Sequence, residues 1–133
     1  MNKKFGKILA EISIGELFDK ITILEIKKSK IKDKEKINNI EKELNSLNDT
    51  LKKNGLYQIE GKLKNLIEDL RNINLELWEI EDAKRLAEKN NNFDEKFIQL
   101  ARNVYKKNDL RAKIKSEINN HLGSNIKEVK SYD

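Results

Sequence analysis

The 133-residue chain has no cysteine and no proline, one histidine and few aromatic residues. Without cysteine there can be no disulfide and no thiolate metal site. With so few rings, a stacking platform for single-stranded nucleic acid is not evident. No run of apolar residues is long enough to span a bilayer. The basic start, Met1 to Ala10, is interrupted at Gly6 and Lys7 before a secretory core can form, so a cytoplasmic location is expected. The missing proline, together with 38% charged and 37% apolar residues, points to helices instead of sheet. The length suits one domain, residues 1–133.

What is present in excess is lysine. The net charge is +5, but lysines alternate with glutamates, as in Lys27 to Lys36, and form no unbroken basic face. Nucleic-acid binding is therefore only a third reading. Of 28 basic residues four are arginine: Arg71, Arg85, Arg102 and Arg111. Where lysine is the default, an arginine marks a place that needs a planar, forked donor.

Apolar periodicity organises the chain. Ser13-Ile-Gly-Glu16 reads as a capping box, in which Ser13 accepts from the Glu16 amide and Glu16 reaches back. A first helix is expected from about 14 to 53. Its distal half carries Ile37, Ile40, Leu44, Leu47 and Leu51 as a coiled-coil seam, and the charged stretch Lys32 to Lys36 absorbs a register mismatch as a stutter or bend. Asn54-Gly55 stops it. A second helix over 57–89, with Ile59, Leu63, Leu66, Leu70, Ile73, Leu77 and Ile80 in seam, would zip back onto the first, and a third would occupy 93–122. The alternating ends, 8–12 and 126–132, suit extended arms that pair. The expected fold is all-α: an elongated antiparallel bundle of three helices around a long coiled-coil-like hairpin, which makes a homo-oligomer the expected state.

Three constellations break the apolar faces. In the first helix, Leu17, Ile21 and Leu24 form one apolar face and Ile23 and Ile26 a second, as in a central helix of a bundle. Asp19 shares the second face, and a buried carboxylate is costly unless paired, protonated or metal-bound. Next, Glu76, Glu79 and Asp82 recur at three-residue spacing around Trp78, so each neighbours the next. With Asp19 they are the candidate metal ligands, a set of oxygen donors suited to Mg²⁺. The alternative is a solvated acidic stripe. Last, Asn108, Arg111 and Lys115 interrupt the apolar stripe of the third helix and are the candidate substrate-binding residues. The economical pairing joins Arg111 and Lys115 to acids from Asp19, Glu25 or the Glu76–Asp82 group.

The stretches Ile14-Gly-Glu-Leu-Phe-Asp-Lys-Ile-Thr-Ile-Leu-Glu-Ile-Lys27, Glu76-Leu-Trp-Glu-Ile-Glu-Asp82, Asn108-Asp-Leu-Arg-Ala-Lys-Ile-Lys115 and Glu128-Val-Lys-Ser-Tyr132 resemble an uncharacterised bacterial family of short proteins, a "domain of unknown function". That resemblance implies a shared all-helical fold. A weaker one is to the MazG-like all-α nucleotide pyrophosphohydrolases: Glu76-x-x-Glu79 is similar to half of their motif. The second half is replaced by Asn108-Asp109, and Glu16-x-x-Asp19 lies upstream instead. The leading expectation is a self-associating accessory or interaction module, for which a protein partner is an option and no cofactor is certain, Mg²⁺ entering only with the alternative. The alternative is an Mg²⁺-dependent hydrolase of nucleotides or other phosphorylated small molecules.

Overall fold

The computed structural model describes residues 4–130, and four helices account for most of them: α1 (Ile14–Lys30), α2 (Lys34–Lys53), α3 (Gly61–Lys89) and α4 (Glu95–Leu122). The fold is all-helical, with no strand among the described residues. None of these helices is long and apolar enough to cross a membrane.

The expected first helix is two helices. It breaks at Ile31, whose backbone is extended (φ −89°, ψ 137°) while its amide still donates to the Lys27 carbonyl. Asp33 then opens α2. The physical reason is the register mismatch: a straight rod would point one of its two seams into water. Folding back lets both face one core, and Thr50 and Asn54 at the end of α2 share a cleft with Ile14 and Leu17 at the start of α1. Lys28 meets Glu41 across the turn at 3.7 Å. The zipping of the second seam onto the distal half of the first is likewise corrected: α2 makes its close backbone approach to α1, whereas α3 packs on α1 and α4.

As its two apolar faces required, α1 lies centrally and touches all three other helices. Leu17, Phe18, Ile21 and Leu24 form one core with Ile40, Leu44 and Leu51 of α2, Leu63, Leu66, Ile67 and Leu70 of α3, and Ile118 of α4. Phe18, Leu70 and Ile118 are essentially sealed from solvent, each contributing about 1.5–3 kcal/mol on burial. The buried residues of α3 lie in its first half and those of α4 in its last third. Helix length explains this. At 17 residues α1 is about 25 Å long, whereas α3 at 29 is about 43 Å. The α3–α4 hairpin outruns its cover, and no residue from Leu75 to Ile114 is buried.

The arms do not pair as strands within the described residues. Asn125 donates to Glu11 at 2.7 Å, and the Ile14 amide to Ser124 Oγ at 3.2 Å, so side chains hold the two ends together. Residues 131 and 132 of the expected second arm lie outside the described residues.

One glycine controls how closely α1 meets α4. A Cβ on Gly15 would stand 2.5 Å from the Lys115 carbonyl oxygen and 3.0 Å from Asn119 Oδ1. Alanine normally favours a helix by about 1 kcal/mol over glycine. At this position Gly15→Ala should instead lower the denaturant midpoint, by about 1–3 kcal/mol of overpacking. Gly6→Ala, where an added Cβ meets nothing within 4 Å, should leave stability unchanged. Equal stability of the Gly15→Ala protein and the parent would contradict the close approach.

Candidate functional site

The site grows from the first turn of α1. Ser13 caps the helix as expected, its hydroxyl accepting from the Glu16 amide at 3.1 Å. The second half of the capping box does not form: Glu16 accepts from Lys115 Nζ at 2.7 Å instead of reaching back. Because Gly15 has no side chain, its amide reaches Asn119 Oδ1 at 2.6 Å. The close packing of α1 on α4 brings Asp19, one turn further, against the residues that interrupt the apolar stripe of α4.

Asp19 is 1% exposed. Its Oδ1 accepts from Arg111 Nε at 2.9 Å and from Asn74 Nδ2 at 2.9 Å, while Arg111 Nη2 donates to its Oδ2. Lys115 Nζ lies 3.5 Å from the same Oδ2 and is also 3.1 Å from Glu128 in the C-terminal segment. Asn74 donates again to Thr22 Oγ1 at 2.9 Å, and Thr22 donates to the Asp19 carbonyl at 2.9 Å. Arg111 Nη1 donates to Asn108 Oδ1 at 3.3 Å. All three interior helices and the tail therefore contribute to one polar network.

Burial alone would raise the Asp19 pKa. The Arg111 and Asn74 hydrogen bonds, with the charges of Arg111 and Lys115, outweigh it and hold the carboxyl below its ordinary value. The Asp19 hydrogen bond raises Arg111 against its own desolvation. Desolvation would lower Lys115, but its hydrogen bonds to Glu16 and Glu128 and the charges of Asp19 and Glu16 raise it.

The structure brings together Asp19, Asn108, Arg111 and Lys115, and selects Asp19 from the acids open to Arg111. It does not gather the candidate metal ligands. Glu76, Glu79 and Asp82 are exposed. Glu76 is taken by Lys107 at 2.7 Å, and Asp19 has its oxygens committed inside the bundle. Their helical spacing gives an exposed run, and no group of three metal-binding side chains occurs among the described residues. Glu25 pairs with Arg71 at 3.2 Å, apart from the network. Sequence reasoning missed Asn74, Thr22 and Glu128. Asn74 follows Leu63, Leu66, Ile67 and Leu70 on the buried side of α3, the signal that marked Arg111. Glu128 lies in a segment whose alternation suited an extended arm, where a charged residue interrupts no apolar stripe.

Beside the network a cleft of about 400 Å³ opens between α1, α3 and α4, lined by Ile23, Asn74, Leu77, Trp78, Glu81, Asp82, Arg85 and Arg111. Trp78 thus borders a cavity shared by three helices.

Residues 8–133 match the family model described as "Family of unknown function (DUF6165)". The chain belongs to this family. No curated protein and no solved structure matches it. A likeness to the MazG-like pyrophosphohydrolases is not shown.

In this DUF6165 member the pKa directions set the pH dependence of stability. Asp19 is lowered in the folded state, so its contribution is complete above the unfolded carboxylate value, about 3.9, and is lost as pH falls through the lower folded value. Lys115 is raised, so its contribution is complete below the unfolded lysine value, about 10.4, and is lost as pH rises through the higher folded value. Asp19→Asn should flatten the acid side of the stability curve. It should also cost about 3 kcal/mol at neutral pH, by leaving Arg111 and Lys115 without their shared carboxylate. Chemical denaturation across pH checks both, and an unchanged acid limb would contradict the assignment.

Proposed function

We propose that this chain is a self-associating helical interaction module whose α3–α4 hairpin pairs with the hairpin of a second copy. The observation that carries the reading is the bare hairpin: nothing between Leu75 and Ile114 is buried, although the segment is rich in large apolar residues. Leu86, Phe93, Ile98, Tyr105 and Leu110 are each about half exposed or more. Two isolated helices are marginal in water, because helical stability comes chiefly from burying an apolar face. Two such hairpins laid together make a four-helix arrangement that supplies the missing layer.

Charge supports a two-fold pairing. Beyond the Glu76–Lys107 and Glu81–Lys84 pairs made within the chain, the outer half of α3 carries the acids Glu79, Asp82 and Glu88, and the outer half of α4 the bases Lys96, Arg102 and Lys106. In an isologous contact each residue patch meets its complement twice, so α3 of one copy on α4 of the other places acid on base. Phe93 and Phe97 meet edge to face at 5.2 Å and stiffen the turn that would end the interface.

Light scattering or sedimentation should find a dimer at tens of micromolar. Leu86→Glu with Ile98→Glu should give a folded, helical monomer, since both side chains are exposed within one chain. A parent protein that is monomeric at that concentration would overturn the reading.

A further inference from the structure

We propose that the cleft between α1, α3 and α4 is a binding site for a small aromatic anion, a planar ring with N–H donors joined to a phosphate or carboxylate, of about the size of a nucleoside monophosphate. The site goes beyond the self-association proposed above, though its α3 wall, with Asp82, belongs to the same outer half of the hairpin. Its volume, about 400 Å³, falls in the range of small-molecule pockets. Its walls combine apolar surface from Ile23 and Trp78 with a few fixed polar groups, the usual composition of such pockets.

Asn74 supplies the first directed group. It is 5% exposed and lines the cleft. Asp19 is an acceptor only, so the amide must turn its NH₂ toward Asp19 and Thr22, and both N–H groups are used there. Its carbonyl oxygen accepts no hydrogen bond in the network and keeps access to solvent, which leaves an acceptor for a ligand N–H. Arg111 supplies the second. Asp19 takes two of its N–H groups and Asn108 a third, and of the five on a guanidinium two remain for the cleft that Arg111 lines. A buried carboxylate fixes this arginine before any ligand arrives, so little side-chain entropy is lost on binding.

The charge balance narrows the class. Arg85 brings a second cation to the lining, and Asp82 an acid; the other acid there, Glu81, has Lys84 at 3.5 Å. A bare dianion would gain from the arginines and be opposed by Asp82. A ligand that carries an anion for Arg85 and Arg111 together with amine or hydroxyl donors for Asp82 and Asn74 satisfies every group. The indole face of Trp78 suits the ring.

Trp78 is the sole tryptophan, so its fluorescence reports the cleft directly. The full chain is titrated with the four nucleoside 5′-monophosphates, with the corresponding nucleosides and with orthophosphate. The expected result is saturable quenching at submillimolar concentration by at least one monophosphate, and weaker or no response to the nucleoside and to orthophosphate. Arg85→Ala, an exposed change outside the polar network, should weaken binding by about tenfold, the loss of one charge-assisted hydrogen bond. Lys42→Ala, an exposed change on α2 outside the cleft, should not. The proposal is overturned by the absence of saturable quenching at millimolar concentrations of any monophosphate. Orthophosphate binding as tight as the ring-bearing ligands, or unchanged affinity in Arg85→Ala, overturns it equally.

Discussion

A carboxylate sealed inside a helical bundle constrains everything around it. Asp19 sits in the second turn of the central helix with almost no access to water. Arg111 meets it with two donors, Asn74 with one, and Lys115 stands close behind. A buried ion pair adds little net stability against an apolar replacement, but removing one partner is severe. Its effect is therefore on arrangement. Any packing of α1, α3 and α4 that separates these groups strands a charge, so the network selects one register among the many that an apolar seam would tolerate.

The backbone is shaped to allow this. Gly15 lets α1 approach α4 until its amide reaches Asn119 and its space is closed by the Lys115 carbonyl. Glu16 gives up half of a capping box to meet Lys115, which the tail also holds through Glu128. Ser124, from the segment after α4, accepts from the amide of Ile14. The start of α1, the end of α4 and the tail are thus tied at one end of the bundle, while the other end leaves a two-helix hairpin uncovered. Arg111 stands at the boundary, one edge committed to Asp19 and the other lining the cleft.

Much of this was legible in the residues, for physical reasons that differ from element to element. The two apolar faces around Leu17 and Ile26 required a central helix, and α1 is central. The arginine that replaces the default lysine at 111, within an apolar stripe, marked a charge that needs a forked partner; Asp19 is that partner. The break at Ile31 escaped because neither glycine nor proline enforces it: two seams out of register are compatible with a bend or a full reversal, and only the common core decides. The acidic run Glu76, Glu79 and Asp82 was legible as a run, but periodicity gives neighbours and not the direction in which they face, and of the three only Asp82 lines the cleft. Glu128 was invisible because a charged residue is ordinary on an alternating arm and breaks no apolar stripe there.

The claim on which the account stands is that Asp19 and Arg111 interact strongly within the folded chain. A double-mutant cycle, with Asp19→Asn, Arg111→Met and the combined variant unfolded in denaturant at neutral pH, measures that interaction apart from each residue's other contacts. The account predicts a favourable coupling of about 2 kcal/mol or more, with the double variant more stable than the sum of the single losses implies. Additive losses, with coupling near zero, would contradict it.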